Sequence, residues 1–181
     1  MNVLDIAENS VAAGAKLIEI TLVIDTGAKL LTLSVADNGK GMPPQMLETV
    51  TDPFTTSRTT RKVGMGLPLL KMAAEQTGGK LDIKSTQNVG TVVTATFTLG
   101  HIDLMPVGDM ASTIATLIQC NPDTDFVFTA KADGDSFTAD TREMRVILGG
   151  DVSFAVPQVA LWLNEYLAEN TKEILKRSTV L

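Results

Sequence analysis

Asp37 ends the alternating run KLLTLSVAD and opens DNGKGM, where Gly39 and Gly41 follow at alternate positions before Met42. A carboxylate offers hydrogen-bond acceptors only, and a glycine leaves room for close approach to the backbone. Asp5 and Asn9 stand four residues apart in VLDIAENS, so a helix places both on one face. Gly64-Met65-Gly66 precedes the periodic run LPLLKMAAEQT, and free amides at a helix start can face an anion. Between these features, TDPFTTSRTTRKVGMG is dense in Thr, Ser, Arg and Gly and has no clean period. Each feature also has a plain structural reading. These are an Asx-bonded turn, a cap or surface group, a simple helix start and a solvated basic loop.

The elements that must hold these residues follow from periodicity. NVLDIAENSVAAGAK carries Val3, Leu4, Ala7 and Val11 at helical spacing. LIEITLVID and KLLTLSVAD alternate as strands around Asp25-Thr26-Gly27-Ala28, and so short a connection makes the pair antiparallel. PPQMLETV reads as a short helix with proline in its first turn. Residues 52–64 read as a long loop, and LPLLKMAAEQT as a helix stopped by Gly78-Gly79. KLDIKST and GTVVTATFTL form a further hairpin. This order predicts an α+β fold, a two-layer sandwich of mixed, mainly antiparallel sheet with helices on one face. Past Gly100 the reading is a small α/β C-terminal region. IDLMPV is expected as a short strand, DMASTIATLIQ as a helix, and DFVFTAKAD and SFTADTREMRVIL as strands. VPQVALWLNEYLAENTKEILKRS closes as a helix with Val159, Trp162, Leu163, Tyr166, Leu167 and Ile174 as its apolar stripe. The chain divides near residue 100, giving 1–100 and an acidic domain or extension over 101–181.

Composition narrows the function. Apolar residues make up 44% and charged residues 20%, the profile of a folded soluble protein. One cysteine excludes an internal disulfide and suits a reducing, cytoplasmic setting, and one histidine beside it makes a Cys/His zinc site implausible. No apolar run reaches bilayer length, and the N-terminus lacks a secretory pattern, so no membrane role is expected. The first hundred residues carry nine basic and nine acidic groups, whereas the remainder carries six and twelve. No broad basic surface is available for nucleic acid.

Taken together, ENSVAAGA, DNGKGM, DPFTTSR, VGMGLPLLKMAAEQTGGKL and Gly90-Thr91 resemble, in order and spacing, the ATPase superfamily of DNA gyrase, heat-shock chaperones, sensor histidine kinases and MutL. The resemblance covers roughly residues 1–99. It implies ATP and Mg2+ as ligands. Asp37 would accept the exocyclic amine of adenine and share a water with Thr91, while Gly39, Gly41 and Met42 form the adenine-binding turn. Asn9 would bind Mg2+. Phe54, Thr55, Thr56, Arg58 and Lys62 fall in the lid, with Arg61 a further cation there. Gly64, Met65, Gly66 and Leu67 fall at the phosphate-facing helix start.

The departures matter. Asp5 stands where the MutL and gyrase groups have a Glu as general base, and its shorter side chain implies slow hydrolysis. AAGA replaces the DAGA of MutL, and the family has a further segment ahead of the Asn helix, with which this sequence begins. His101 is the only histidine and has no helix pair upstream, so a phosphoacceptor is expected from a protein partner. The resemblance leaves three activities open: phosphoryl transfer or slow hydrolysis, serine/threonine phosphorylation of the anti-sigma-factor kinase type, or nucleotide-gated interaction without turnover.

Overall fold

Strict alternation of buried and exposed positions builds the sheet. β1 (Leu17–Asp25) and β2 (Leu30–Asp37) each bury every second residue, so one face is apolar and the other is half-wet. The computed structural model describes residues 3–51, 66–150 and 152–176. Its remaining elements are α1 (Val3–Ala12), α2 (Pro44–Thr49), α3 (Gly66–Gln76), β3 (Lys80–Thr86), β4 (Gly90–Thr98), α4 (Met110–Cys120), β5 (Asp125–Ala132), β6 (Asp135–Asp140), α5 (Thr141–Ile147) and α6 (Pro157–Lys176). They form a mixed, mainly antiparallel sheet of order β3-β4-β2-β1-β5-β6 with helices packed on one face, as the sequence pattern predicts. No helix among the described residues is long and apolar enough to cross a membrane.

The register aligns side chains into rows across the inner face. Ile83, Val93, Val35, Ile20, Phe128 and Ala139 make one such row. Leu81, Ala95, Leu33, Leu22, Ala130 and Phe137 make the next. α1 covers this face with Val3, Ile6, Ala7 and Ser10, the spacing of one helical stripe. α4 adds Met110, Ala111, Ile114, Ala115, Leu117 and Ile118.

β5 pairs with β1 in parallel, from Leu17 opposite Asp125 to Ile24 opposite Ala132. The elements after residue 100 therefore continue the same sheet, and their buried side chains join the same apolar cluster.

Several local expectations change. Ile102–Val107 forms no strand: Gly100 takes a left-handed conformation (φ 77°) after β4, and Ile102 is 95% exposed. The strand expected over SFTADTREMRVIL stops at Asp140, whose carboxylate caps α5 by accepting from the Arg142 amide at 2.9 Å. Asp140 with Glu143 three residues on is an N-terminal capping pattern, and the alternating reading passed over it. On α6 the buried positions are Leu163, Leu167, Thr171 and Ile174, while Trp162 lies outside them, stacked on Tyr166.

Asp140 and Asp109 are both held below the usual carboxylate range. For Asp140 the main cause is the Arg142 guanidinium, and for Asp109, the α4 cap, it is the Ser112 amide. A depressed carboxyl adds stability above its unfolded pKa and loses it as pH falls through its folded value. Asp140→Ala is expected to cost about 1 kcal/mol at neutral pH, typical of a lost N-cap. The gap from the natural protein should close as pH drops below 3.8. Urea titrations of both proteins across that range check this.

Candidate functional site

The inner face turns polar at one end. Beyond Ile83, Val93 and Val35, the next row reads Ser85, Thr91, Asp37 and Ile18. Asp37 is thus the last residue of β2, directly opposite Thr91 of β4. Its two carboxylate oxygens each hold one donor. Ser10 Oγ donates to Oδ2 at 2.7 Å, and the Gly39 amide donates to Oδ1 at 2.9 Å. Ser10 is only 5% exposed, so α1 fixes the carboxylate from the helical layer. Asn38 ties the turn to β1 by accepting from the Lys16 and Leu17 amides at 2.8 and 2.9 Å.

The turn after Asp37 is held on both sides. The Lys40 amide donates to Ala13 O at 3.0 Å, and Lys40 O accepts from the Asn88 amide at 2.7 Å. The Met42 amide donates to Ser85 Oγ at 2.8 Å. Two contacts require glycine. A Cβ on Gly41 would overlap the Thr86 carbonyl, and one on Gly90 would overlap the Asp37 carbonyl, and both residues have positive φ. Gly39 is packed more loosely, with Ala13 Cβ 3.0 Å from where its own Cβ would sit.

The other candidates divide. Asp5 and Asn9 are exposed on α1 one turn apart, and neither side chain has a hydrogen-bond partner among the described residues. Gly66 starts α3 against Asp5, whose Cβ lies 3.0 Å from a Cβ built on the glycine. Leu67, the next residue, packs partly buried against the core. This brings the helix start that was expected to face phosphate next to the acidic end of α1. Phe54, Thr55, Thr56, Arg58, Arg61, Lys62, Gly64 and Met65 lie outside the described residues. Two open concavities on the surface, one around Arg145 and Phe154 and one around Asp25 and Lys131, are lined by none of the predicted site residues.

Sequence reasoning missed Ser10 and Ser85, although a signal existed for each. Ser10 completes the buried stripe Val3, Ile6, Ala7, and a hydroxyl on such a stripe needs a polar partner. Ser85 continues the inward alternation of Leu81 and Ile83.

Comparisons with known proteins bear on the family and the fold. The family described as "Histidine kinase-, DNA gyrase B-, and HSP90-like ATPase" matches residues 2–101. A putative sensor histidine kinase NtrY-like of Rickettsia prowazekii is 31% identical over 104 residues, covering 58% of this chain and 17% of its own length. The sensor histidine kinase ZraS of Salmonella typhimurium is 33% identical over 70 residues, covering 39% of this chain and 15% of its own length. The chain thus spans less than a fifth of the length of either relative. A crystal structure of the N-terminal domain of a DNA repair protein superposes with TM-score 0.53 at 18% identity, over 75% of this chain and 50% of that one. At that identity the likeness is one of fold.

Because the Gly90 contact is with backbone, no side-chain motion can relieve it. Gly90→Ala is expected to destabilise the protein by about 2–4 kcal/mol through combined overlap and backbone strain. Gly134→Ala, where a Cβ meets nothing within 4 Å, should be near neutral. Chemical denaturation of the pair checks this.

Proposed function

The chain belongs to the histidine kinase-, DNA gyrase B- and HSP90-like ATPase family, and we propose that it binds ATP with Mg2+ and couples bound nucleotide, or slow phosphoryl transfer from it, to a partner protein. The observation that carries this reading is the Asp37 carboxylate, fixed by Ser10 and Gly39 in the polar row at the end of the inner face. Its remaining lone pairs accept the exocyclic amine of adenine and hold a water, shared with Thr91, that reaches the ring. Gly39, Gly41 and Met42 let the turn lie against the base.

Asn9 and Asp5 present oxygen donors without partners among the described residues. A single amide oxygen suits Mg2+, which keeps waters and takes phosphate oxygens for the rest of its octahedron. Asn9 is the ligand in this reading, and the bound ion would neutralise phosphate charge. Asp5 takes the proton of an attacking hydroxyl or water. Its reach is one methylene shorter than a Glu, so hydrolysis is slow and transfer to a positioned acceptor is favoured. Gly66 and Leu67 form the phosphate side at the start of α3, completed by Gly64, Met65 and the lid residues Phe54, Thr55, Thr56, Arg58 and Lys62. The names of the sensor histidine kinase relatives support transfer over free hydrolysis. His101, the only histidine of this sequence, follows β4 in a turn, and in this reading a partner protein supplies the acceptor. Bound ATP with neither hydrolysis nor transfer would instead mark a nucleotide-gated interaction protein.

Asp37→Asn puts a donor where an acceptor is needed and is expected to weaken ATP binding by about 1–3 kcal/mol, the range for a buried mismatch. Calorimetry on both proteins tests it, and equal affinities would sink the adenine assignment. Asn9→Ala should lower Mg2+-dependent ATP affinity and leave adenosine affinity as it was. Equal losses for both ligands would make Asn9 a structural residue.

A further inference from the structure

β6 closes one side of the sheet, and it lies past residue 101, beyond the stretch that the ATPase family matches. Its backbone directions follow from its neighbour β5. The Phe126 amide points toward β6 and donates to Thr141 Oγ1, just past that strand, whereas the Asp125 amide points toward β1 and donates to Lys16 O. Alternation then turns Phe128, Ala130 and Ala132 toward β6, opposite Ala139, Phe137 and Asp135. The N–H and C=O groups of Ser136 and Thr138 therefore point away from the sheet. Both residues are exposed, and nothing among the described residues takes up their amides.

The two edges of the sheet differ. β3 sets Lys80, Asp82 and Lys84 along its exposed positions, the kind of charge that keeps a foreign strand away. Between its terminal Asp135 and Asp140, β6 carries no charge. An aromatic shelf stands beside it. Phe137 meets Tyr166 of α6 edge-on at 5.6 Å, and Trp162 stacks on Tyr166 at 5.4 Å. α4 holds the opposite side of α6, where Asn164 Nδ2 donates to Ser112 Oγ at 3.3 Å. Trp162 is still 38% exposed and Leu161 63%.

We propose that this edge is the contact between two copies of the chain, which pair β6 with β6 antiparallel across a two-fold axis and join two six-stranded sheets into one. Charge selects the direction. Antiparallel pairing lays the acidic turn of one copy, with Asp133 and Asp135, beside Arg142 at the start of α5 of the other. Parallel pairing would set that turn beside the same turn of the second copy, acid on acid. Pairing Ser136 with Thr138 of the second copy matches the outward backbone groups and centres the axis on Phe137. Each Asp135 then faces an Ala139 and each Asp140 a Gly134, so no two carboxylates are opposed. α6 packs over both β5 and β6. The two α6 helices would then lie two strand spacings apart, about 10 Å, the ordinary distance of helix contact. The Trp162 and Tyr166 rings of both copies fill the space between them.

The test is the dimer dissociation constant of the natural chain, Thr138→Pro and Thr138→Lys, measured by analytical ultracentrifugation. The natural chain is expected to dimerise with a micromolar or tighter constant, the range of specific interfaces. Proline at 138 removes only an outward N–H, so the monomer keeps its ladder. The dimer should weaken by at least about tenfold, because the axis repeats the lost hydrogen bond. Thr138→Lys brings two like charges together near the axis, and it carries the test with the same expected result should the proline chain fail to fold. Amide exchange gives a second readout. The Ser136 and Thr138 amides should be protected in the dimer and exchange freely on dilution, while the Phe137 amide, bonded to β5, stays protected throughout. A natural chain that stays monomeric at its highest soluble concentration, with both amides exchanging freely, overturns the proposal and leaves the edge to another protein. A monomer in which those amides are protected also overturns it, since a segment of the same chain then covers the edge. A dimer whose constant neither substitution changes overturns it as well, because the copies then meet elsewhere.

Discussion

At the end of β2 three stretches of backbone meet at glycines. The Gly90 Cα faces the Asp37 carbonyl, Gly41 faces Thr86, and Gly39 faces Ala13. This crossing is the constraint on which the candidate site depends. It locks the β2 turn between the end of α1 and the β3–β4 hairpin, so three elements distant in sequence share one geometry. The carboxylate of Asp37 gains a fixed direction because its backbone cannot shift. Ser10 and the Gly39 amide then hold its two oxygens.

The same sheet face serves two purposes along its length. Where the rows are apolar, the helices bury them and the fold gains its stability from area removed from water. Where the row becomes Ser85, Thr91 and Asp37, that cover gives way to hydroxyls and a carboxylate. A polar row at the end of a face, rather than in its middle, can be satisfied partly by protein and partly by a ligand. Mid-face it would have to be fully paired internally. α1 bridges both regimes. Val3, Ile6 and Ala7 pack the core, Ser10 holds Asp37, and Asp5 and Asn9 look outward.

Features that repeat were legible in the sequence, and features set by a single contact were not. β1 and β2 alternate so regularly that their pairing and inner face could be read directly. DNGKGM and Asp5 with Asn9 were plain features taken singly, and they stood out only through the family that the motifs together resemble. Ser10 and Ser85 did not stand out, since a serine in a periodic run looks tolerated until its partner is known. Asp140 was hidden because SFTAD continues β6 smoothly into α5, and only the cap geometry stops the strand. Ile102 looked like a strand residue by type, yet it follows β4, whose two sides are taken by β3 and β2, and it is 95% exposed.

The parallel join of β1 to β5 gives the chain a particular order of assembly. β1 lies in the interior of the sheet, but it is synthesised first of all the strands, and its second partner begins only at Asp125. Until then, everything up to Thr98 can pair, and one edge of β1 stays bare beside Ile18, Ile20, Leu22 and Ile24. An open edge lined by such residues is a template for the wrong strand, including one from another nascent chain. Closing it requires a contact of long sequence separation, which is the slow kind. A chaperone that shields β1 while α4 and β5 emerge would thus act on this protein at the point where its folding is most exposed.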